Sequence, residues 1–387
     1  MVLALYKRTT PITNHNTEKR LQSVRFTSFK YNTRLRPTNK SRIVILCCFS
    51  EFGCETVGHL YCIPRLLRKL TGKYVIVVGW YGREYLYRHL VDEFWEIGEE
   101  SMWLRQYSKA FHHNSINLSR IENYLENYAG TVIKSKDLGA YLILNFCWTC
   151  GRMWTTRGSQ KCSCCGSTLV QKSLFEDIES AKKTVVPLPR PSQKILDWAR
   201  NLIKPNTVGI FARNRITYGR NLSKEFYISL IDLIRARGYN IIWLGEKEST
   251  YPCPDPSILD FSRMPEARDL EKTLAIVCNL SFTVQFYTAS TRLAGMMGCP
   301  FLIVESPDQI YGMGQEGMRL ELTSFGPRKL LLSDIAFFKE EQSKSLQDIE
   351  DAIDDMISGD FSIKIGTVKD REVIENFIKQ GSYGKFS

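Results

Sequence analysis

Val208-Gly209-Ile210-Phe211-Ala212-Arg213-Asn214-Arg215-Ile216-Thr217-Tyr218-Gly219-Arg220-Asn221-Leu222-Ser223 is the stretch whose reading decides the fold. Its first five residues are apolar or glycine without alternation, the texture of a short strand buried on both faces. A polar loop with three arginines follows, and Ser223 stands where a helix N-cap belongs. The helix it caps runs to Arg237, where Gly238 terminates it. Asn240–Leu244 is again strand-like and stops at Gly245. Further on, helix Leu270–Cys278, strand Leu280–Val284, helix Ser290–Met297 (halted by Gly298) and strand Phe301–Val304 keep the alternation going. Strand-helix alternation of this kind predicts a parallel sheet with helices on both faces.

Upstream the same grammar recurs. Arg42–Phe49 reads as a buried strand, Val57–Leu70 as a helix closed by Gly72, and Tyr74–Val78 as the next strand. Helical segments are predicted around Tyr85–Phe94 and Ile121–Tyr128, with a strand at Tyr141–Leu144. Pro187, Pro189 and Pro191 cannot all sit inside a helix or a central strand, so they mark a boundary. Ser192 then caps a helix to about Ile203, and an amphipathic helix is expected around Leu346–Ile357. The fold class is therefore α/β, with two Rossmann-like lobes in series and a cysteine-rich insertion. The predicted divisions are a basic, disordered arm (1–41), a first lobe (42–146) and the insertion (147–170). A linker with a connecting helix (171–206), a second lobe (207–365) and a tail (366–387) complete the chain. Such lobes bind ligands at the carboxyl ends of their strands and in the cleft between them.

The formal charge of +11 is concentrated. Residues 1–42 hold ten Lys/Arg against one acid, Glu18, which leaves only +2 for the remainder. An arm of this kind suits a disordered leader, an organelle-targeting segment, or contact with phosphate-rich polymers. No run reaches the ~20 apolar residues of a membrane-spanning helix, and no secretory leader is expected, because the first residues lack a sustained apolar region followed by a small-residue cleavage site. The expectation is a cytoplasmic, reducing setting, in which twelve cysteines are free thiols plus a metal site rather than a disulfide framework.

The metal site is the most specific motif. Cys147-Trp148-Thr149-Cys150-Gly151 and Cys162-Ser163-Cys164-Cys165-Gly166 are two Cys-x-x-Cys-Gly knuckles. Each turn aims two thiolates at one ion, and the glycine takes the left-handed conformation the turn needs. Cys147, Cys150, Cys162 and Cys165 together predict a closed, structural zinc site resembling a zinc ribbon, with Cys164 as a competing ligand. Arg152, Arg157, Lys161, Trp148 and Trp154 leave open nucleic-acid contact through this module, beside its use as a plain staple.

Three further stretches carry chemistry. Ser50-Glu51-Phe52-Gly53-Cys54-Glu55 follows the first strand; Glu51 and Glu55 suit either a general base or the N-terminus of the next helix. Arg213, Arg215 and Arg220 follow the first strand of the second lobe, where guanidinium forks suit a diphosphate. Ser290 and Thr291 stand where a strand gives way to a helix, so they suit phosphate oxygens or simple capping.

In this order, the stretches resemble the GT-B glycosyltransferases. Ser290–Pro300 is similar to the turn-helix-Gly-x-Pro segment of the heptosyltransferase and fucosyltransferase-like branch. The resemblance implies that Arg213, Arg215, Ser290 and Thr291 contact a nucleotide-sugar diphosphate and that Glu51 or Glu55 is the base. Thr291-Arg292 departs from the glycine common in that turn, and a zinc ribbon is not a usual part of the fold. No Gly-x4-Gly-Lys-Ser/Thr loop or dinucleotide fingerprint is present. Asp354-Asp355 fall on a late helix, so an inverting transfer without a catalytic divalent metal is expected, to an unknown acceptor. The alternative is a nucleic-acid-associated zinc-ribbon protein whose body is inert or modifies the polymer.

Overall fold

The computed structural model describes residues 25–31, 43–48, 60–99, 124–133, 141–146, 153–155, 188–214, 221–286, 289–305, 328–333, 342–368 and 371–372. The chain divides into two compact units, one holding the first of two sheets and the other the second.

The first sheet consists of β1 (Phe26–Lys30), β2 (Ile43–Cys48), β3 (Tyr74–Gly79), β4 (Glu93–Ile97), β5 (Tyr141–Phe146) and β6 (Met153–Thr155), in the order β1-β4-β3-β2-β5-β6. The four central strands are parallel, whereas β1 and β6 run antiparallel at the two edges. β2 and β3 are buried along their whole length, which explains their unbroken apolar runs. Helical residues 124–133 bury Leu125, Ala129 and Ile133 against Ile43, Ile45, Ile76 and Trp95. Helix α1 (Leu60–Lys69) precedes β3, and Gly72 turns the chain with φ +75°.

The helix expected over Tyr85–Phe94 is only one turn, α2 (Glu84–Tyr87), and the chain then enters β4. Glu93 and Glu96 disguise that strand. Both are buried, but each is satisfied: Tyr74 Oη and Trp95 Nε1 donate to Glu93 at 3.0 and 2.8 Å, and Gly82 N donates to Glu96 at 2.6 Å. The boundary at 41/42 is also too late. Phe26–Lys30 of the predicted arm pairs with β4, with Phe26 against the Tyr128 ring, so a polar, basic sequence serves as an edge strand.

Burial, reinforced by Glu84, pushes Glu96 up to about 7 against the backbone N–H donors of Gly82 and Arg83 and the Arg83 charge. The ordinary value is 4.5. The folded chain therefore holds this proton more tightly than the unfolded one, so the stability it confers is complete below pH 4.5. It is lost as pH rises through 7, up to about 3 kcal/mol. Glu96→Gln removes this slope. Urea unfolding at pH 5 and pH 8 checks it: the variant's stability relative to the parent should rise by roughly that amount, and an unchanged difference would contradict the assignment.

The second sheet is wholly parallel: β7 (Thr207–Phe211), β8 (Asn240–Leu244), β9 (Leu259–Asp260), β10 (Phe282–Gln285), β11 (Phe301–Glu305), β12 (Arg328–Leu332) and β13 (Ile363–Ile365). Their order is β13-β12-β11-β10-β7-β8-β9. Helix α3 (Gln193–Leu202), expected to be a connector, instead buries Leu196 and Ala199 in the core under one face. That core also takes Ala275 and Ile276 of α5 (Leu270–Val277) and Ala294 of α6 (Ala289–Met296). The opposite face carries α4 (Lys224–Ala236) and α7 (Gln342–Ser358), which share a core through Leu230, Ile234, Ile349 and Ile353. Ser223 caps α4 as read, its hydroxyl accepting from Phe226 N at 3.1 Å. Ser192 precedes α3 without a side-chain capping bond. Asp354 and Asp355 are engaged by the fold: Arg237 Nη2 holds Asp354 at 2.7 Å, and the buried Lys329 ammonium lies 2.9 Å from Asp355.

Among the described residues no helix is long and apolar enough to cross a membrane.

Candidate functional site

In the second sheet the chain runs outward from β7 through β8 to β9, returns to β10 on the other side of β7, and then continues to β13. The order therefore reverses between β7 and β10. At such a reversal the connections leave the two strand ends in opposite directions and open a crevice at the carboxyl edge. The two predicted donor-binding segments are the continuations of these two strands.

On the β7 side, Arg213 lies two residues beyond Phe211, and its position is fixed from the neighbouring loop. Arg213 forms an antiparallel bridge with Thr250. Asn214 N donates to Ser249 O at 2.7 Å, and Tyr251 N donates to Ala212 O at 2.9 Å. The loop that holds it is itself pinned. Arg263 donates to the carbonyls of Lys247 and Thr250 at 2.8 and 2.9 Å. Gly245 supplies a φ of +134° at the exit of β8. The Tyr227 hydroxyl, raised well above its ordinary value chiefly by burial, shares this neighbourhood, where the Arg213 charge opposes the shift.

On the β10 side, Gln285 and Phe286 are buried and α6 begins at Ala289. Ser290 therefore lies inside the first turn, not at the cap, and Thr291 follows it there. The first-turn N–H groups of a helix have no partners within it, and the helix dipole adds partial positive charge. An arginine on one strand end and a helix N-terminus on the other form a set of donors suited to phosphate oxygens.

Arg215, Arg220, Glu51, Glu55, Cys147, Cys150, Cys162 and Cys165 lie outside the described residues. Glu51 and Glu55 follow β2, which with β5 flanks the equivalent reversal in the first sheet. Among the described residues no cluster of three or more His, Cys, Asp or Glu side chains could hold a metal. Sequence reasoning missed Thr250, Arg263 and Gln285. Only Gly245 gave a signal, as a glycine directly after a strand.

No protein-family model and no curated protein matches the chain. Solved structures similar to it include a glycosyl transferase family 9 protein from Veillonella parvula (12% identity, TM-score 0.43, covering 82% of this chain and 97% of that one). The E. coli heptosyltransferase WaaC with ADP is similar at 11% identity and TM-score 0.45, covering 81% of this chain and 99% of the other. E. coli ADP-heptose LPS heptosyltransferase II gives 11% and 0.43, covering 82% and 98%. Likenesses this loose carry no argument about activity.

Proposed function

We propose that the chain is a glycosyltransferase of the GT-B kind that takes a sugar from a nucleoside-diphosphate donor bound at the β7/β10 reversal. The observation that carries the proposal is that Arg213 and the first turn of α6 continue the two strands that flank the reversal. In the reaction, the bond from the anomeric carbon to the diphosphate oxygen breaks while an acceptor oxygen attacks from the opposite face, inverting the configuration. Negative charge grows on the departing diphosphate. Arg213, joined by Arg215 and Arg220, and the first-turn N–H groups of α6 around Ser290 and Thr291 stabilise it more strongly in the transition state than in the bound donor. Glu55 or Glu51 takes the acceptor proton. With guanidinium and amide donors in place of a cation, the transfer proceeds without a divalent metal.

Zinc in this account is structural. β5 and β6 pair antiparallel with Phe146 opposite Met153, so the six intervening residues, which include Cys147 and Cys150, connect two adjacent strand ends. A knuckle fits such a connection, and with Cys162 and Cys165 it completes a thiolate set without an open coordination position. Metal analysis should find one zinc per chain, falling well below half in Cys147→Ser. A variant that keeps its full zinc would remove Cys147 from the ligand set.

The test of function is titration of the purified zinc-loaded protein, in buffer without added magnesium or other free divalent metal, with a panel of nucleoside diphosphates and their sugars, ADP-heptose included. Selective micromolar binding of one diphospho-sugar is expected. Binding that appears only on adding magnesium would contradict the metal-independent mechanism.

A further inference from the structure

Gln285 is the last residue of β10, in register with Phe211 of β7 on one side and Ile303 of β11 on the other. Phe282 and Val284 belong to the core beneath α4, so the alternation of the strand turns Thr283 and Gln285 to the face covered by α3, α5 and α6. Gln285 is 2% exposed. Its Nε2 donates to Thr283 Oγ1 at 3.3 Å, whereas its Oε1 is buried and, among the described residues, accepts no hydrogen bond. A buried amide oxygen without a donor lowers stability, and an apolar side chain of similar size would avoid that cost. The residue sits at the chain reversal, at the same strand edge as Arg213 and four residues before α6 begins. A group that costs the fold stability at that position has its use in a hydrogen bond arriving from outside the fold.

We propose that Gln285 Oε1 accepts a hydrogen bond from a hydroxyl of the bound nucleotide sugar, and so recognises the part of the donor that the phosphate-binding groups do not. This rests on the donor-site reading above. Chemistry sets the division of roles: an amide oxygen repels phosphate oxygens and attracts O–H, while Arg213 and the α6 amides do the reverse. The hydroxyl belongs to the ribose or to the transferred sugar.

The experiment compares wild type, Gln285→Met and Gln285→Leu, in buffer without added divalent metal, for melting temperature and for binding of three probes. These are inorganic pyrophosphate, the nucleoside diphosphate that wild type binds, and its nucleotide sugar. Both variants should melt at or above the parent temperature, bind pyrophosphate unchanged and bind the nucleotide sugar at least about tenfold more weakly. Equal weakening for the nucleoside diphosphate assigns the ribose hydroxyl, and weakening for the nucleotide sugar alone assigns the sugar. Unchanged affinity for all three probes overturns the proposal and leaves the amide holding a water molecule. Two variants that both melt below the parent overturn it in favour of a role in the fold. Weakened pyrophosphate binding overturns it in favour of a phosphate contact. A wild-type protein that binds none of the probes overturns the donor-site reading itself, and this proposal with it.

Discussion

Gly245→Ala is expected to cost about 3 kcal/mol of folding stability and to weaken donor binding in the same protein. Its φ of +134° is one that side chains other than hydrogen rarely tolerate. A methyl group there would stand 2.1 Å from Thr250 Oγ1 and 3.2 Å from Thr250 Cβ. Thr250 cannot move aside cheaply, because its backbone bridges Arg213 and its carbonyl accepts from Arg263. Relief of the clash must therefore shift the segment that fixes Arg213. Gly238→Ala is the control: its φ is +78° and a methyl group there would meet no atom of the described residues within 4 Å, so only the backbone cost of about 1 kcal/mol is expected. Urea unfolding of the two variants gives the comparison. Equal losses would show that the β8 exit loop does not hold its shape through Gly245.

Arg213→Ala should lower turnover of the nucleotide sugar by roughly two to three orders of magnitude, the usual effect of removing one donor that stabilises developing charge. Arg213→Lys should still lose more than about tenfold, because a single ammonium cannot reproduce the two-pronged geometry of a guanidinium. Melting temperature should scarcely move in either variant, since the residue is partly exposed. Arg200→Ala serves as the reference, an exposed arginine of α3 paired with Asp197 at 2.7 Å. Release of nucleoside diphosphate measures all three. Turnover by Arg213→Ala equal to that of the reference would remove Arg213 from the donor site.

The parts legible in the sequence were those governed by local chemistry. Strands buried on both faces, such as Ile43–Cys48 and Thr207–Phe211, advertise themselves through unbroken apolar runs. Helix ends are marked by Ser223, Gly238 and Gly298, and the structure keeps all three roles. The order of the segments also brought Arg213 and Ser290 to the two sides of one chain reversal. What stayed hidden depends on distant partners. β4 reads as helix because its two glutamates suggest an exposed face; only Tyr74, Trp95 and Gly82 make them tolerable inside. β1 is polar because an edge strand need bury only one side, and its partner lies about seventy residues away. The bond between Arg263 and Thr250 and the unmet oxygen of Gln285 are products of packing, and no spacing rule announces them.

The most direct test of the account is hydrogen–deuterium exchange of the wild-type protein with and without the nucleotide sugar that binds best. The account predicts slower exchange in peptides covering residues 211–214, 249–251 and 286–293, the segments that meet the donor or hold Arg213 in place. Donor binding that leaves all three segments unchanged, with protection elsewhere in the chain, would contradict a donor site at the β7/β10 reversal.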